Sequence, residues 1–287
     1  MSFRPSASSS SRVLVTGATA GIGLETALHL ARLGHHVIAT GRSEESIAAL
    51  RKRAAGLPLE TIALDVDDAA SIAAAKAEVD RISSGIDVLV NNAGFGMLGP
   101  LESLSDQALR AQFETNVFGL MAVTRAFLPG MRAQGRGRIV NISSIAGRFT
   151  LPFAGAYHAS KYAVEALSDA LRNELRPFGI EVVLIEPGPI RSEFSPRAVA
   201  HLREQSSETS PYAASLRRLL ALRQRQRHLA GTPEDVAEVI ARAIQARRPR
   251  ARYVVPLTGR AILSLFEWLP TPLADALARR MMGLSKR

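Results

Sequence analysis

Tyr157 and Lys161 are the residues of this chain whose types and spacing most directly suggest chemistry. They lie four apart in a segment with helical periodicity, so both side chains should project from one face of a helix. An unperturbed phenol has a pKa of about 10, and a nearby ammonium stabilises the phenolate, which suits the phenol to general acid/base work nearer neutral pH. Taken alone, a Tyr-Lys pair is more often a solvated helix face. Three other tyrosines, Tyr162, Tyr212 and Tyr253, have no lysine at this spacing.

Ser144 and Asn116 are polar residues beside apolar segments. Ser144 comes 13 residues before Tyr157, just past a predicted strand, where its hydroxyl would hydrogen-bond a substrate oxygen and stabilise developing negative charge. Ser143 is the nearest competitor, but neighbouring strand residues face opposite sides. Asn116 precedes the apolar helical segment VFGLMAV, where a locally hydrogen-bonded core amide is an equally plain explanation.

The glycine-rich segment TGATAGIG, residues 16–23, follows the first apolar run and opens the first predicted helix. Its glycines permit a tight turn, close approach of the backbone to a pyrophosphate, and contact of helix with sheet, while free N–H groups at the helix start face the anion. An ordinary glycine-rich turn is the alternative, and the spacing is neither G-x-G-x-x-G nor a P-loop. The candidate nucleotide-binding residues in this segment are Gly17, Thr19, Ala20, Gly21, Ile22 and Gly23.

The elements that must position these residues alternate along the chain. Apolar runs predict strands at 12–16, 36–41, 59–64, 86–91, 138–143, 181–186 and 252–255. Segments of helical spacing predict helices at 21–33, 44–54, 69–83, 106–132, 156–176 and 233–246. Such alternation specifies right-handed βαβ crossovers, and therefore a doubly wound α/β fold with a parallel sheet of about seven strands and helices on both faces.

The motif TGxxxGIG resembles that of the short-chain dehydrogenase/reductase family, and further family motifs follow in order between about Val13 and Pro256. These are an acid after the third strand, the NNAG element, the Y-x-x-x-K pair and a Pro-Gly turn. Over residues 151–194 the chain looks most like hydroxysteroid and retinol dehydrogenases. The resemblance implies a Rossmann fold, a nicotinamide cofactor and hydride transfer between that cofactor and a carbonyl or alcohol carbon, with Tyr157 as general acid/base.

The resemblance also assigns individual roles. Asn116, Ser144, Tyr157 and Lys161 match the catalytic tetrad; Asn116 would hold a water that links Lys161 to solvent, and Lys161 would also bond the nicotinamide ribose. The remaining cofactor positions are Asp65 near the adenine, Val66, Asn92, Ala93, Gly94, Pro187, Gly188 beneath the nicotinamide, and Ile190.

The end of the second strand predicts NADP(H) rather than NAD(H). NAD-binding relatives have an acid there that bonds the ribose hydroxyls and repels a 2′-phosphate. This chain has Gly41 at that place, followed by Arg42, whose guanidinium can grip a phosphate bidentately. A solvated loop arginine is the alternative.

Composition excludes several functions. The chain has no cysteine, which rules out disulfides, a thiolate nucleophile and Cys-containing metal sites. Its six histidines form no H-E-x-x-H pair, so we expect no metal site. No signal-like or membrane-spanning apolar run is present, which predicts a cytoplasmic protein that contacts membranes at most peripherally.

The charge is uneven. Residues 1–190 carry 18 basic and 18 acidic side chains, whereas residues 191–287 carry 18 and 8. The excess therefore lies in one region, which argues against a nucleic-acid-binding surface.

The chain is predicted to form one catalytic domain over 12–257, after a disordered tail at 1–11 and with a substrate flap at about 190–230. Residues 258–287 are predicted to form a basic amphipathic extension. Leu273, Leu277, Met281 and Leu284 fall at helical spacing near Arg279, Arg280, Lys286 and Arg287. This extension is suited to an anionic membrane surface, and packing on its own domain or a partner subunit is the alternative.

The substrate is predicted to be a small hydrophobic alcohol or ketone. An apolar pocket would be lined by Met97, Leu98, Phe149, Leu151, Pro152, Phe153 and Phe194. The resemblance implies a homodimer or homotetramer. Two other functions remain open: a non-catalytic cofactor-sensing regulator of the same fold, against which the intact Ser144, Tyr157 and Lys161 set argues, and a nucleotide-sugar epimerase or dehydratase, whose usual GxxGxxG motif is missing.

Overall fold

A computed structural model describes residues 10–191, 202, 210–226 and 230–284. In this part of the chain seven strands form one parallel sheet in the order β3-β2-β1-β4-β5-β6-β7, which confirms the predicted fold class. The strands are β1 (Arg12–Val15), β2 (His36–Gly41), β3 (Leu59–Ala63), β4 (Val88–Asn91), β5 (Gly137–Ile142), β6 (Ile180–Pro187) and β7 (Arg252–Val255).

Ten α-helices lie within the described residues. They are α1 (Gly21–Arg32), α2 (Glu44–Arg53), α3 (Ala69–Ser83), α4 (Asp106–Phe113), α5 (Leu120–Gln134), α6 (Gly155–Leu175), α7 (Ala213–Gln226), α8 (Pro233–Gln245), α9 (Leu257–Trp268) and α10 (Thr271–Met282). Side chains accept hydrogen bonds from free N–H groups at several helix starts, as Thr232 does in a capping box with Asp235.

The prediction of a single helix at 106–132 is wrong in one respect. A π-helical turn, Glu114–Gly119, separates α4 from α5. Periodicity cannot reveal such a turn, because one widened turn leaves the apolar pattern on either side intact. Gly119 lies in this turn, and a Cβ there would come 2.8 Å from the carbonyl oxygen of Val66. The backbone of the widened turn therefore packs directly against the loop after β3.

The central strands of the sheet are buried on both faces, which explains why β1 and β4 are mostly apolar, whereas the edge strand β3 is partly exposed. Val13 and Val15 pack on the face covered by α1, α2 and α8, whereas Leu14, between them, packs on the face covered by α3, α5 and α6. Each fully buried aliphatic side chain of this kind contributes about 1.5–3 kcal/mol. Strand order reverses between β1 and β4, so a crevice opens at the carboxyl ends of these two strands.

The two C-terminal helices pack on the rest of the domain. Leu263 of α9 is buried with Ile145 and Phe149, and Phe266 stacks on Phe149 with ring centres 4.5 Å apart. In α10, Met282 is buried against α7. None of the helices within the described residues is both long and apolar enough to cross a membrane.

Some sequence predictions lie wholly or partly outside the described residues: the tail at 1–9, most of the flap at 190–230 with Phe194, and Lys286 and Arg287. Ser11, which the sequence analysis assigned to the tail, is buried, and its carbonyl oxygen accepts a hydrogen bond from the backbone N–H of His36. The ordered sheet therefore begins before residue 12.

Candidate active site

The glycine-rich loop connects β1 to α1 at the crevice. Gly17 has φ +62° and Gly21 has φ +54°, a region that glycine enters without strain. A Cβ on Gly23 would come 2.3 Å from Asn92 Nδ2 and 2.4 Å from the carbonyl oxygen of Gly17. The amide of Asn92 donates hydrogen bonds of 3.0 Å to the carbonyl oxygens of Thr16 and Gly17, which holds the loop against the end of β4.

Thr16 is a positioning residue that the sequence reasoning did not select. Its hydroxyl oxygen accepts hydrogen bonds of 3.0 Å from the backbone N–H groups of both Asn92 and Ala93. The ends of β1 and β4 are therefore joined in both directions across the crevice. Its position directly before Gly17 in the TGxxxGIG motif was the available signal.

A cavity of about 440 Å³ lies beside this loop. Its lining residues are Thr19, Arg42, Ser43, Ser46 and Asp65. Three predicted cofactor residues from the loops after β1, β2 and β3 thus meet at one place, with two serines that the sequence reasoning missed. Arg42 is exposed and forms no ion pair within the described part of the chain.

Position 41 is closely surrounded by side chains. A Cβ on Gly41 would come 2.4 Å from Thr19 Cγ2 and 3.2 Å from Ile47 Cγ1, so a larger residue here would require the Thr19 side chain of the phosphate loop to move. Asp65 is the cavity's acid, and its carboxylate accepts a 3.1 Å hydrogen bond from the backbone N–H of Asp67 in its own loop.

Ser144 follows β5 and begins a 3-10 turn, Ile145–Gly147. Its hydroxyl donates to the carbonyl oxygen of Pro187 at 3.2 Å and accepts from the backbone N–H of Ala146 at 3.1 Å. These bonds orient the hydroxyl beside the Pro187-Gly188 turn. Ser143, in contrast, continues the β-ladder through its N–H to Ile185.

Tyr157 and Lys161 lie on one face of α6, as their spacing predicts. The Lys161 ammonium is 5.9 Å from the centre of the Tyr157 ring and donates a 2.8 Å hydrogen bond to the carbonyl oxygen of Ile142. Burial lowers the pKa of Lys161 to about 8, and nearby Glu165 partly offsets that shift. A lysine with a pKa in this range can exchange protons near neutral pH.

Asn116 lies in the π-helical turn and is held by three hydrogen bonds. Its Oδ1 accepts from the N–H of Phe95, and its Nδ2 donates to the carbonyl oxygen of Phe95 and to Ser160 Oγ at 3.0 Å. Ser160 in turn donates to the carbonyl oxygen of Tyr157 at 2.7 Å. Asn116 is therefore linked to the turn of α6 that carries Tyr157, through a serine that the sequence reasoning missed.

The other predicted cofactor residues follow strands at the same edge of the sheet. A Cβ on Gly94 would lie 3.0 Å from Asn116 Oδ1, and one on Gly188 would lie 2.8 Å from the Cα of Gly259 in α9. Val66 is buried beside the π-helical turn, and Ile190 bridges to Gly231. No group of three or more metal-binding side chains occurs among the described residues.

The predicted apolar lining falls into two clusters. Leu98 and Phe153 are buried with Leu216 and Met282, whereas Phe149 belongs to the cluster with α9. Leu151 packs against both clusters. Phe153 has φ +67°, a conformation that an aromatic residue rarely adopts, and its carbonyl oxygen accepts from the N–H of Gly99.

Comparison with known proteins adds an independent observation. The family model described as short chain dehydrogenase matches residues 11–203. The chain is 39% identical over 264 residues to the uncharacterized oxidoreductase YbbO of Escherichia coli strain K12, with 92% of each chain covered. It is 38% identical over 252 residues to 17-beta-hydroxysteroid dehydrogenase type 1 of Homo sapiens, covering 84% of this chain and 76% of that protein.

Solved structures with the same fold contain either nicotinamide cofactor. A metagenomic short-chain oxidoreductase in complex with NADP is 32% identical, with a TM-score of 0.69 and coverage of 87% of this chain and 98% of that one. A short chain dehydrogenase/reductase from Burkholderia phymatum in complex with NAD is 28% identical, with a TM-score of 0.76 and coverage of 90% and 93%.

Proposed function

Because the chain belongs to the short-chain dehydrogenase family of oxidoreductases, we propose that it is a cytoplasmic, NADP(H)-dependent enzyme that interconverts a carbonyl and an alcohol. The observation that carries the proposal is the meeting of Ser144 and the Tyr157–Lys161 pair at the edge of the sheet where the glycine-rich loop lies. When bound, the nicotinamide supplies or accepts the hydride.

The chain's own residues handle the proton and the developing charge. The Ser144 hydroxyl would hydrogen-bond the substrate oxygen, and Tyr157 would give its phenolic proton to that oxygen in reduction and take it back in oxidation. Lys161 would stabilise the phenolate left behind, and would hold the ribose. Asn116 would position the water through which Lys161 exchanges protons with solvent.

Three features of the cavity support NADP(H) as the cofactor. Arg42 is a cation without an ion-pair partner among the described residues, and beside it lie the hydroxyl groups of Ser43 and Ser46, which bond each other at 2.8 Å. Gly41 puts no acid at the end of β2, where a carboxylate would repel a phosphate bound to Arg42. A guanidinium with two hydroxyl groups is suited to a phosphate dianion, so the 2′-phosphate of NADP would lie against Arg42.

A hydrophobic alcohol or ketone is the substrate class that the surroundings favour. The segment between Ser144 and Tyr157 carries Phe149, Leu151 and Phe153, which connect to two apolar clusters. The relative from Homo sapiens is by its name a hydroxysteroid dehydrogenase, and a hydroxysteroid is a large apolar alcohol. We propose a substrate of comparable apolar character for this chain.

We also propose two partners for the surface. Phe118 in the π-helical turn before α5 and Tyr162 on α6 are both exposed, in the part of the fold through which relatives pair, which supports a homodimer or homotetramer. An anionic membrane surface would meet α9, where Leu257, Leu265 and Trp268 are exposed at helical spacing, and α10, which carries Arg279 and Arg280.

The proposed function is tested by following NADPH oxidation with aldehydes and ketones of increasing chain length, steroid ketones included. We expect turnover with apolar carbonyl compounds, and a weaker rate with NADH. If saturating NADPH or NADH binds but none of these compounds is reduced, and none of the matching alcohols is oxidised, the non-catalytic regulator becomes the better account.

A further inference from the structure

Two buried carboxyl groups lie directly behind the site, and the proposed mechanism does not use them. Glu186 of β6 is 0% exposed and immediately precedes Pro187, whose carbonyl oxygen accepts from Ser144. Glu165 of α6 is 6% exposed and lies one helical turn after Lys161. Both carboxylates approach the same atom, Arg252 Nε, at 3.0 Å from Glu165 Oε2 and 3.1 Å from Glu186 Oε1.

The cations around these carboxylates are largely occupied by other acids. Asp169 takes the outer nitrogen of Arg252 at 2.7 Å from both of its oxygens, and it also accepts from Arg172. Arg148 approaches Glu186 Oε2 at only 3.4 Å and forms its closer ion pair with Glu267 of α9. The Lys161 ammonium attracts Glu165 electrostatically, but its hydrogen bond goes to the carbonyl oxygen of Ile142.

One oxygen of Glu165 and one of Glu186, the inner pair of carboxylates, therefore lack a hydrogen-bond donor, while the other oxygen of each accepts from an arginine. The single N–H at Arg252 Nε makes an aligned hydrogen bond to Glu165, whereas its approach to Glu186 is close but not aligned. Glu165 Oε1 and Glu186 Oε1 are both buried with no hydrogen-bond donor among the described residues. Buried carboxylate oxygens normally accept hydrogen bonds, and two like charges in one buried site raise the pKa of one of them. A proton bound to one carboxyl removes one of the two negative charges and adds a hydrogen-bond donor to a site that has too few.

We propose that Glu165 and Glu186 share one proton, and that this pair positions Lys161 and the Pro187-Gly188 turn while placing only one negative charge beside the lysine. The second half of this inference rests on the proposed function, because it concerns the residue that would assist Tyr157. The first half concerns the chain alone.

The electrostatics give the direction of the pH effect. Burial and the neighbouring Glu165 raise the pKa of Glu186 to about 7, against the opposing influence of Arg148 and Arg252. Above that pH the pair carries two negative charges. The added charge stabilises the Lys161 ammonium and raises its pKa, so the pair would keep the lysine charged to a higher pH than one carboxylate could.

Infrared spectroscopy of the cofactor-free protein tests the shared proton without any turnover. We expect the wild type to show the carbonyl-stretch band of a buried protonated carboxylic acid at pH 6, fading by pH 8. The band should be lost in Glu186→Gln and in Glu165→Gln, and kept in the control Glu174→Gln, an exposed acid on the same helix. Absence of the band from the wild type at pH 6 overturns the proposal without needing a variant, and so does its persistence in both inner variants.

The pH profile of kcat tests the positioning role separately. Glutamine cannot acquire the second charge, so in Glu186→Gln we expect the alkaline limb to move to lower pH by about half a unit or more. Glu174→Gln should leave that limb in place. A lost infrared band with an unmoved alkaline limb would mean that the proton is shared but does not act on Lys161. Failure of the wild type to turn over would instead count against the proposed function.

Discussion

The ammonium of Lys161 donates a 2.8 Å hydrogen bond to the carbonyl oxygen of Ile142, the last residue of β5. The bond fixes the end of a flexible side chain at the point where the strand gives way to Ser144. It also keeps a positive charge in a buried place, where Lys161 is only 7% exposed. Burial of a charged ammonium lowers the free energy of unfolding, so its cost can be measured by comparing the stability of variants.

Removal of this charge should stabilise the cofactor-free protein at neutral pH. The pKa of Lys161 falls from 10.5 to about 8 on folding, so the folded state binds fewer protons between these values and carries the full penalty below pH 8. That shift corresponds to about 3 kcal/mol, reduced by about 1 kcal/mol for the lost hydrogen bond to Ile142. We expect Lys161→Met to unfold at higher urea than the wild type at pH 7.

The gain in Lys161→Met should shrink as the pH rises from 8 to 10.5, because the wild-type lysine is then neutral in the folded state and the cost of removing its proton falls with pH. Urea titrations at pH 7 and pH 10 measure this. A wild type that is the more stable protein by the same margin at both pH values would show that burial of this ammonium carries no penalty.

Arg42→Ala should reduce kcat/KM with NADPH by about 10- to 100-fold, the usual range for losing a charge-assisted hydrogen bond to phosphate, and should change the value with NADH little. Ser46→Ala should act in the same direction with a smaller effect. Lys52→Ala removes an exposed cation from α2, the helix that follows Arg42, and is the matched control. An unchanged NADPH:NADH preference in Arg42→Ala, or a wild type that prefers NADH, contradicts the assigned cofactor.

Gly23→Ala should weaken NADPH binding and lower the free energy of unfolding by about 1–3 kcal/mol, because the new Cβ would overlap Asn92 Nδ2 and the Gly17 carbonyl oxygen. Gly130→Ala is the control: a Cβ there meets nothing within 4 Å, and alanine is the better helix former. We expect Gly130→Ala to be neutral or slightly stabilising. Equal effects from the two substitutions would mean that the loop tolerates a side chain.

Vesicle co-sedimentation of the full chain tests the membrane contact. Trp268 is 87% exposed and Leu265 is 51% exposed, so Trp268→Ala/Leu265→Ser should reduce binding to anionic vesicles at low salt without unfolding the protein. Phe178→Ala, an exposed apolar residue outside these helices, is the control. If the wild type stays in the supernatant at low salt, the membrane proposal is wrong, and the exposed faces of α9 and α10 contact a partner subunit or solvent.

The sequence was sufficient for the fold because the signals were local. Apolar runs such as 88–91 are too short for a typical helix and favour buried strands, and their alternation with helices indicates a parallel sheet. The glycine-rich loop could also be recognised from the sequence, because its glycines meet local needs: a positive φ at Gly17 and Gly21 and a close approach of Asn92 at Gly23.

What could not be predicted depends on contacts between distant segments. In the sequence Ser160 is one of several helix serines, and only the fold brings Asn116 beside it. Likewise, Glu186 is a residue near a strand end until the fold brings Arg252 next to it and to Glu165. In α10 the pattern favoured the stripe beginning at Leu273, yet Ala278 and Met282 are the buried residues and Leu273 is exposed. The buried face of a helix is set by the surface that receives it, which sequence periodicity does not contain.

The most direct test of the account is the turnover of Tyr157→Phe with NADPH and the best carbonyl substrate. The substitution removes the transferable proton and little else, so we expect kcat to fall by about 10²- to 10⁴-fold while the NADPH dissociation constant stays within about threefold of the wild type. Lys161→Ala, measured beside it, should lose both turnover and cofactor affinity. Retention of more than about 1% of wild-type kcat in Tyr157→Phe would show that the proton comes from elsewhere, and the mechanism assigned to this site would be wrong.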